Sequence, residues 1–149
     1  MSDPRPPRYL KPMNKLMMAV QKLGVPTGPA MVLTVPGRKS GKPRRTPMTP
    51  FQVDGGLYAV AGYPGADWAA NARAAGVGTL SKGRRSRPIR IVELSAAQAR
   101  PILREYPTQV PVGVMFAKSS GMVVDGTPDE FEALAGRLAV FRFDLVGNG

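Results

Sequence analysis

M-V-L-T-V (residues 31–35), P-G-R-K-S-G-K-P-R-R-T-P (36–47) and M-T-P-F-Q-V (48–53) run consecutively in this chain. The middle segment holds five cations (Arg38, Lys39, Lys42, Arg44, Arg45), two glycines and no acid. Apolar, β-prone runs on both sides predict a strand over Met31–Val35 and another over Met48–Val53, with a basic loop displayed between them. Backbone N–H groups and guanidinium forks in such a loop can meet an anion. Gly37 and Gly41 permit a close backbone approach there, and Ser40 places a small hydroxyl between them. A solvated basic turn is the plain alternative.

The strand signals continue outward from this point. Asp54-Gly55-Gly56 predicts a hairpin turn returning along Leu57–Gly62. Pro47 and Pro50 cannot donate to a ladder, which puts their strand at an edge or a bulge. After a turn at Tyr63-Pro64-Gly65, Asp67 is expected to cap a short helix, Trp68–Ala75, closed by Gly76. Trp68 and Asn71 then share one helical face, either as core or as the wall and polar anchor of a pocket.

A further hairpin, Val77–Leu80 with Pro88–Leu94, surrounds a second basic cluster of Lys82, Arg84, Arg85 and Arg87, read as a solvated tip. Ser95 and Gln98 form a capping box for a helix to about Glu105. Thr127, Pro128 and Glu130 start another, running to about Leu138. Val140–Val146 reads as a strand with Phe141, Phe143 and Leu145 inward and Arg142 and Asp144 outward. Residues 107–126 carry no clear signal. Short strands, hairpin turns and few helices predict a mainly β (α+β) fold, a small antiparallel barrel with peripheral helices, rather than a parallel βαβ fold.

At the N-terminus, residues 1–12 carry four prolines with Arg5, Arg8 and Lys11, the composition of a flexible basic arm. Met13–Leu23 has helical spacing and a Met-rich face, suited to core packing, to a lid, or to a membrane surface. Residues 13–149 are expected to form a single domain.

Composition removes several chemistries. The chain has no cysteine and no histidine, hence no disulfide, no thiolate nucleophile and no imidazole base or zinc ligand. The acids are scattered, so metal catalysis lacks a ligand cluster. An enzyme built this way needs a bound organic cofactor for the reacting atoms. No apolar run is long enough to span a bilayer and no secretory signal is evident, so the expected location is cytoplasmic, with peripheral membrane contact left open.

A formal charge of +11 asks for an anionic partner. Gly37–Pro43 fails as a phosphate-binding P-loop, because only three residues separate the glycines and Pro43 stands where Ser or Thr would hold magnesium. No aromatic residue interleaves with either basic cluster, so nucleic acid is not the expected partner.

The motifs T-V-P-G-R-K-S-G-K-P-R-R-T-P, D-G-G-L-Y-A-V-A-G-Y-P-G and D-W-A-A-N-A-R-A-A-G, in this order and spacing, resemble the deazaflavin-dependent nitroreductase family. These are split β-barrel oxidoreductases, related to the FMN-binding barrels, that use coenzyme F420. The resemblance covers about residues 30–94. It implies that Arg38, Lys39, Ser40 and Arg44 hold the cofactor's phosphate and acidic tail. By the same resemblance Arg44, Arg45, Thr46, Pro47, Met48 and Thr49 form the strand edge along the cofactor. Ala61, Gly62 and Tyr63 would line the deazaflavin ring, with Trp68 and Asn71 completing the pocket.

This sequence departs from the family at four places. Pro64 stands for a Lys, Ala69 for an aromatic, Thr49 for a Tyr near the substrate, and the Tyr63–Asp67 loop is shorter. The resemblance therefore implies an F420-dependent oxidoreductase, with FMN as the alternative cofactor, and a nitroimidazole substrate does not follow from it. Such an enzyme passes a hydride to an apolar conjugated acceptor such as a quinone, an enone or a nitro compound. Tyr63 is the candidate catalytic residue, as hydrogen-bond donor or proton relay. No metal is implied, and the chain would act as a monomer or homodimer. A non-catalytic basic module for nucleic acid or anionic lipid is the competing class.

Overall fold

A computed structural model describes residues 30–146. The predicted basic arm and the Met13–Leu23 helix lie outside the described residues. Seven strands follow the order β1 (Met31–Pro36), β2 (Pro43–Met48), β3 (Phe51–Val53), β4 (Gly56–Val60), β5 (Val77–Lys82), β6 (Arg85–Glu93) and β7 (Val140–Leu145). Four helices complete the described residues: α1 (Asp67–Ala75), α2 (Ala96–Gln109), α3 (Pro111–Ser119) and α4 (Pro128–Glu132). The strands form one sheet in the order β2-β1-β5-β6-β7-β4-β3, and every pairing is antiparallel.

That order forces the sheet to curl. Laid flat, its two edge strands would stand about 29 Å apart at the usual interstrand spacing of about 4.8 Å. Yet the edges β2 and β3 are consecutive in sequence, joined only by Thr49 and Pro50, and the step from Met48 to Phe51 reaches at most about 11 Å. The edges must approach each other without pairing, which makes a split antiparallel barrel. The mainly β expectation holds, and Pro47 and Pro50 do fall at an edge.

The core has two parts. Leu33, Val35, Leu80, Ile89, Ile91, Phe141 and Phe143 fill the inside of the curl, beneath the alanines of α1. On the outer face of β3, β4 and β7, Phe51 and Val140 pack with Leu103, Tyr106 and Phe131 of the α2–α4 layer and with Leu138 before β7.

Several expectations need correction. The strand predicted over Met48–Val53 is two strands, because it begins at Pro43 and breaks at Thr49-Pro50, where proline supplies no N–H. The basic segment is correspondingly a short loop, with Arg44 and Arg45 already paired in β2 opposite Val35 and Thr34. Asp67 does not cap α1. Ala66 is the N-cap without a side-chain bond, and Asp67 is the first helical residue, where its charge suits the positive end of the helix dipole. The helix expected to reach Leu138 stops at Glu132; Gly136 (φ 91°) then turns the chain in the left-handed region.

Leu145 is 59% exposed rather than inward, since the filled part of the curl ends at Phe143. The Ser95/Gln98 helix runs past Glu105 to Gln109, through Pro101 and Pro107. The stretch without clear signal contains α3. No helix among the described residues is long and apolar enough to cross a membrane.

Candidate functional site

Two features meet where the barrel is split. The first is the β1–β2 loop. Gly37 N–H donates to the Lys42 carbonyl (2.8 Å) and Gly41 N–H to the Gly37 carbonyl (2.8 Å), with Gly41 at φ 72°. The Lys42 N–H donates to Ser40 Oγ (3.2 Å). A Cβ on Gly37 would come within 3.1 Å of Ser40 Oγ and 3.3 Å of Arg44 Nε, so glycine there lets the Arg44 side chain fold over the loop. Lys39, Ser40, Lys42, Arg44 and Arg45 are exposed.

Arg38 is different. It turns toward α1, where its main-chain N–H and Nη1 donate to Asn71 Oδ1 and its Nη2 reaches Asp67 Oδ1 (3.4 Å). Asn71 is 6% exposed, and apart from the Tyr106 phenol it is the one buried polar side chain among the described residues.

The second feature is a cavity of about 530 Å³. One wall is the β2 edge and its link: Thr46, Pro47, Met48 and Thr49. Opposite stand Ala59, Val60, Gly62 and Tyr63, with Asp67 and Trp68 from the start of α1. The α2–α3 corner closes it with Tyr106, Val110, Val112, Gly113, Met115 and Phe116. Trp68 also packs on Phe141, centroids 5.5 Å apart, so it serves core and cavity together. The Phe116 ring rests against Gly62, where a Cβ would be only 2.9 Å from it, and lies 6.1 Å from the Tyr63 ring. Burial first, and the Asp67 charge second, hold the Tyr63 hydroxyl above its ordinary range, so it is a neutral donor.

The residues singled out from sequence thus divide between the two features. Thr46, Pro47, Met48, Thr49, Gly62, Tyr63 and Trp68 line the cavity; Lys39, Ser40, Arg44 and Arg45 surround the loop. Arg38 and Asn71 join the loop to α1. Ala61 does neither: it is buried in the core, 1% exposed, with its N–H given to the Ala139 carbonyl (2.9 Å).

The α2–α3 wall was not anticipated. Its most telling member is Tyr106, whose hydroxyl is buried against Gly113, where a Cβ would overlap it. That hydroxyl has no hydrogen-bond partner among the described residues, and burial pushes it up to about 12. Only an aromatic flanked by prolines and glycine marks this position in the sequence, and that pattern has no fixed meaning.

An anionic cofactor with a flat conjugated ring fits this arrangement: a glycine-built cationic loop, an apolar cavity, and a buried hydroxyl without a partner at its wall. Among the described residues no cluster of acids could hold a metal ion.

Comparison with known proteins accords with this. No curated protein matches the sequence. Among solved structures, an F420-H2 dependent reductase (FDR-A) superposes with a TM-score of 0.53 at 19% identity, covering 78% of this chain and 94% of that one. A FAD-binding protein from Mesorhizobium loti gives 0.51 at 15% identity, over 87% of this chain and 89% of that one. A protein solved as a domain-swapped dimer gives 0.56 at 18% identity, over 87% and 95%. At these identities the likeness is one of fold, the split barrel of flavin-type binding proteins. Residues 14–121 match the sequence pattern of the F420H(2)-dependent quinone reductases; the chain belongs to that family and is an oxidoreductase that uses coenzyme F420.

Proposed function

We propose that this enzyme passes a hydride from reduced F420 to an apolar conjugated acceptor, a quinone first and an enone or nitro compound by the same chemistry. The observation that carries this is the link between charge and cavity. Asp67 lines the cavity and also meets Arg38 of the cationic loop. An extended ligand, anionic at one end and flat and apolar at the other, suits both.

Lys39, Ser40, Arg44 and Arg45 are the groups to hold the phosphate and acidic tail, with Arg38 orienting the loop that presents them. Thr46–Thr49, Gly62, Tyr63 and Trp68 form the walls against the ring. When bound, F420 supplies the hydride. The protein's share is orientation and exclusion of water, for which Met48, Trp68, Met115 and Phe116 are suited. Met115, 67% exposed, stands at the open side of the cavity, where an apolar acceptor would enter. The domain-swapped relative makes a homodimer the oligomer to look for.

Fluorescence titration of F420 into the purified protein tests the reading. Saturable binding at low micromolar protein is expected, weakened by Arg44→Ala with the fold intact. FMN binding without F420 binding would overturn it. Steeply salt-dependent binding to nucleic acid, with neither cofactor bound, would instead favour the non-catalytic module.

A further inference from the structure

A second cavity, of about 270 Å³, opens between α1, the start of α2 and residues 136–139. It shares one lining residue with the 530 Å³ cavity, and that residue is Tyr63. The two spaces differ in character. The larger is walled by Met, Trp, Phe and Val. The smaller is walled mainly by alanine and glycine, with Arg73, Glu93 and Arg137 at its rim. Side chains this short leave backbone groups within reach, and the volume is ample for several waters.

We propose that the smaller cavity is a water-filled antechamber that supplies protons to the acceptor through the Tyr63 hydroxyl. This rests on reading the larger cavity as the acceptor site. An acceptor that takes a hydride is left with one negative charge on its conjugated oxygen, inside a largely apolar space. The other acids there among the described residues are Asp67, which is paired with Arg38, and the Tyr106 phenol, which burial makes a poorer proton donor and which no second cavity reaches. The O–H bond of Tyr63 breaks, its proton goes to that oxygen, and the electron pair stays on the phenolate. Water in the antechamber then gives the phenolate a proton from solvent. The sum is one hydride and one proton added to the acceptor, with Tyr63 restored.

The charged groups around this path are few. Asp67 faces Tyr63 from α1 and raises its affinity for the proton. Across the antechamber, Arg73 and Glu93 hold each other through two bonds of 2.6 Å, so neither is poised to compete for it. Arg137 is exposed and makes no ion pair among the described residues. An enolate is a stronger base than a phenolate and draws the proton; a hydroquinone anion is itself a phenolate, so there the transfer is nearly balanced and is completed by the water that returns a proton to Tyr63.

The test fills the antechamber from the side away from the acceptor. Ala70→Leu enters from α1 and Ala96→Leu from α2; using both guards against one failing to fold. Tyr63 is followed by NMR of tyrosine labelled at the ring ζ carbon, assigned with Tyr63→Phe, in protein without cofactor. Filling the space should raise the titration of Tyr63 by at least about half a unit as water is removed. In the loaded enzyme it should enlarge the solvent deuterium effect on acceptor reduction about twofold while F420 affinity stays unchanged, and Tyr63→Phe should slow acceptor reduction about tenfold or more. If both leucine variants fold and leave the titration and the isotope effect as in the wild type, the antechamber is wrong. Failure of wild-type protein to bind F420 would remove the acceptor-site reading instead, and the titration would still report whether this space hydrates Tyr63.

Discussion

The main-chain N–H and the guanidinium of Arg38 both donate to a single oxygen, Asn71 Oδ1, at 3.1 and 2.8 Å. One buried amide on α1 therefore fixes both the path of the β1–β2 loop and the direction of its first cation. Asn71 acts on a ligand through the loop, and the cations left to meet an anion directly are Lys39, Lys42, Arg44 and Arg45. The Arg38–Asp67 pair adds little by itself, because Asp67 is almost fully exposed.

Asn71→Leu should therefore cost both stability and binding. It removes an acceptor used by two donors, and the Arg38 N–H loses its partner, a loss of about 1–3 kcal/mol by the usual price of such a group. Urea unfolding would register that. F420 affinity should fall as well, while Asn71→Asp, which keeps the oxygen, should retain most of it. Equal loss in both variants would mean that the amide's nitrogen matters to the ligand.

Arg44→Ala is expected to act on binding alone. Arg44 is exposed and folds over Gly37 without a partner that stability depends on. Losing one charge-assisted bond to a phosphate or carboxylate corresponds to about 1.5–3 kcal/mol, or roughly tenfold to a hundredfold in Kd. Calorimetry at two salt concentrations would check it: the variant's salt dependence should be shallower.

The loop and the barrel were legible in sequence because short-range signals write them. Gly and Pro mark the turns, alternation marks the strands, and the capping boxes at Ser95 and Thr127 are local hydrogen bonds between residues three apart. What stayed hidden depends on tertiary placement. Arg44 and Arg45 look like loop residues by charge, and only the family resemblance set them on a strand edge, where their pairing with β1 puts them. Leu145 follows the inward alternation, yet no described residue covers that end of the sheet. The α2–α3 wall was missed because Pro107 argues against carrying the helix past Glu105, and burial of Tyr106 against Phe51 and Phe131 favours the longer helix.

Tyr106 and Gly113 yield opposite outcomes from small changes. Tyr106→Phe removes a buried hydroxyl that has no partner among the described residues, so thermal stability should stay the same or rise. If that hydroxyl meets the acceptor or cofactor, the KM for acceptor or the Kd for F420 should increase about tenfold. Gly113→Ala pushes a methyl into the same hydroxyl and should cost about 1–3 kcal/mol through overpacking. A Tyr106→Phe/Gly113→Ala double variant should recover part of that loss, since the phenyl ring no longer carries the oxygen the methyl strikes.

Glu130 should govern stability in acid. Its carboxylate accepts the N–H groups of Val124 (2.7 Å), Asp125 (3.0 Å), Gly126 (2.7 Å) and Thr127 (3.1 Å), gathering the loop before α4 onto one side chain. Those backbone bonds, Val124 first, hold it down at about 2, against 4.5 for a free glutamate. Because the folded value is the lower one, the unfolded chain takes up the proton first as pH falls. The contribution of Glu130 is thus fully present above about pH 4.5 and fades as pH falls toward 2. Glu130→Gln cannot lose a charge it lacks, so its unfolding free energy should start lower at neutral pH and fall less steeply across that window. Denaturant titrations of both proteins between pH 2 and 6 would show the curves converging in acid; parallel curves would mean that the loop is held by something other than this carboxylate.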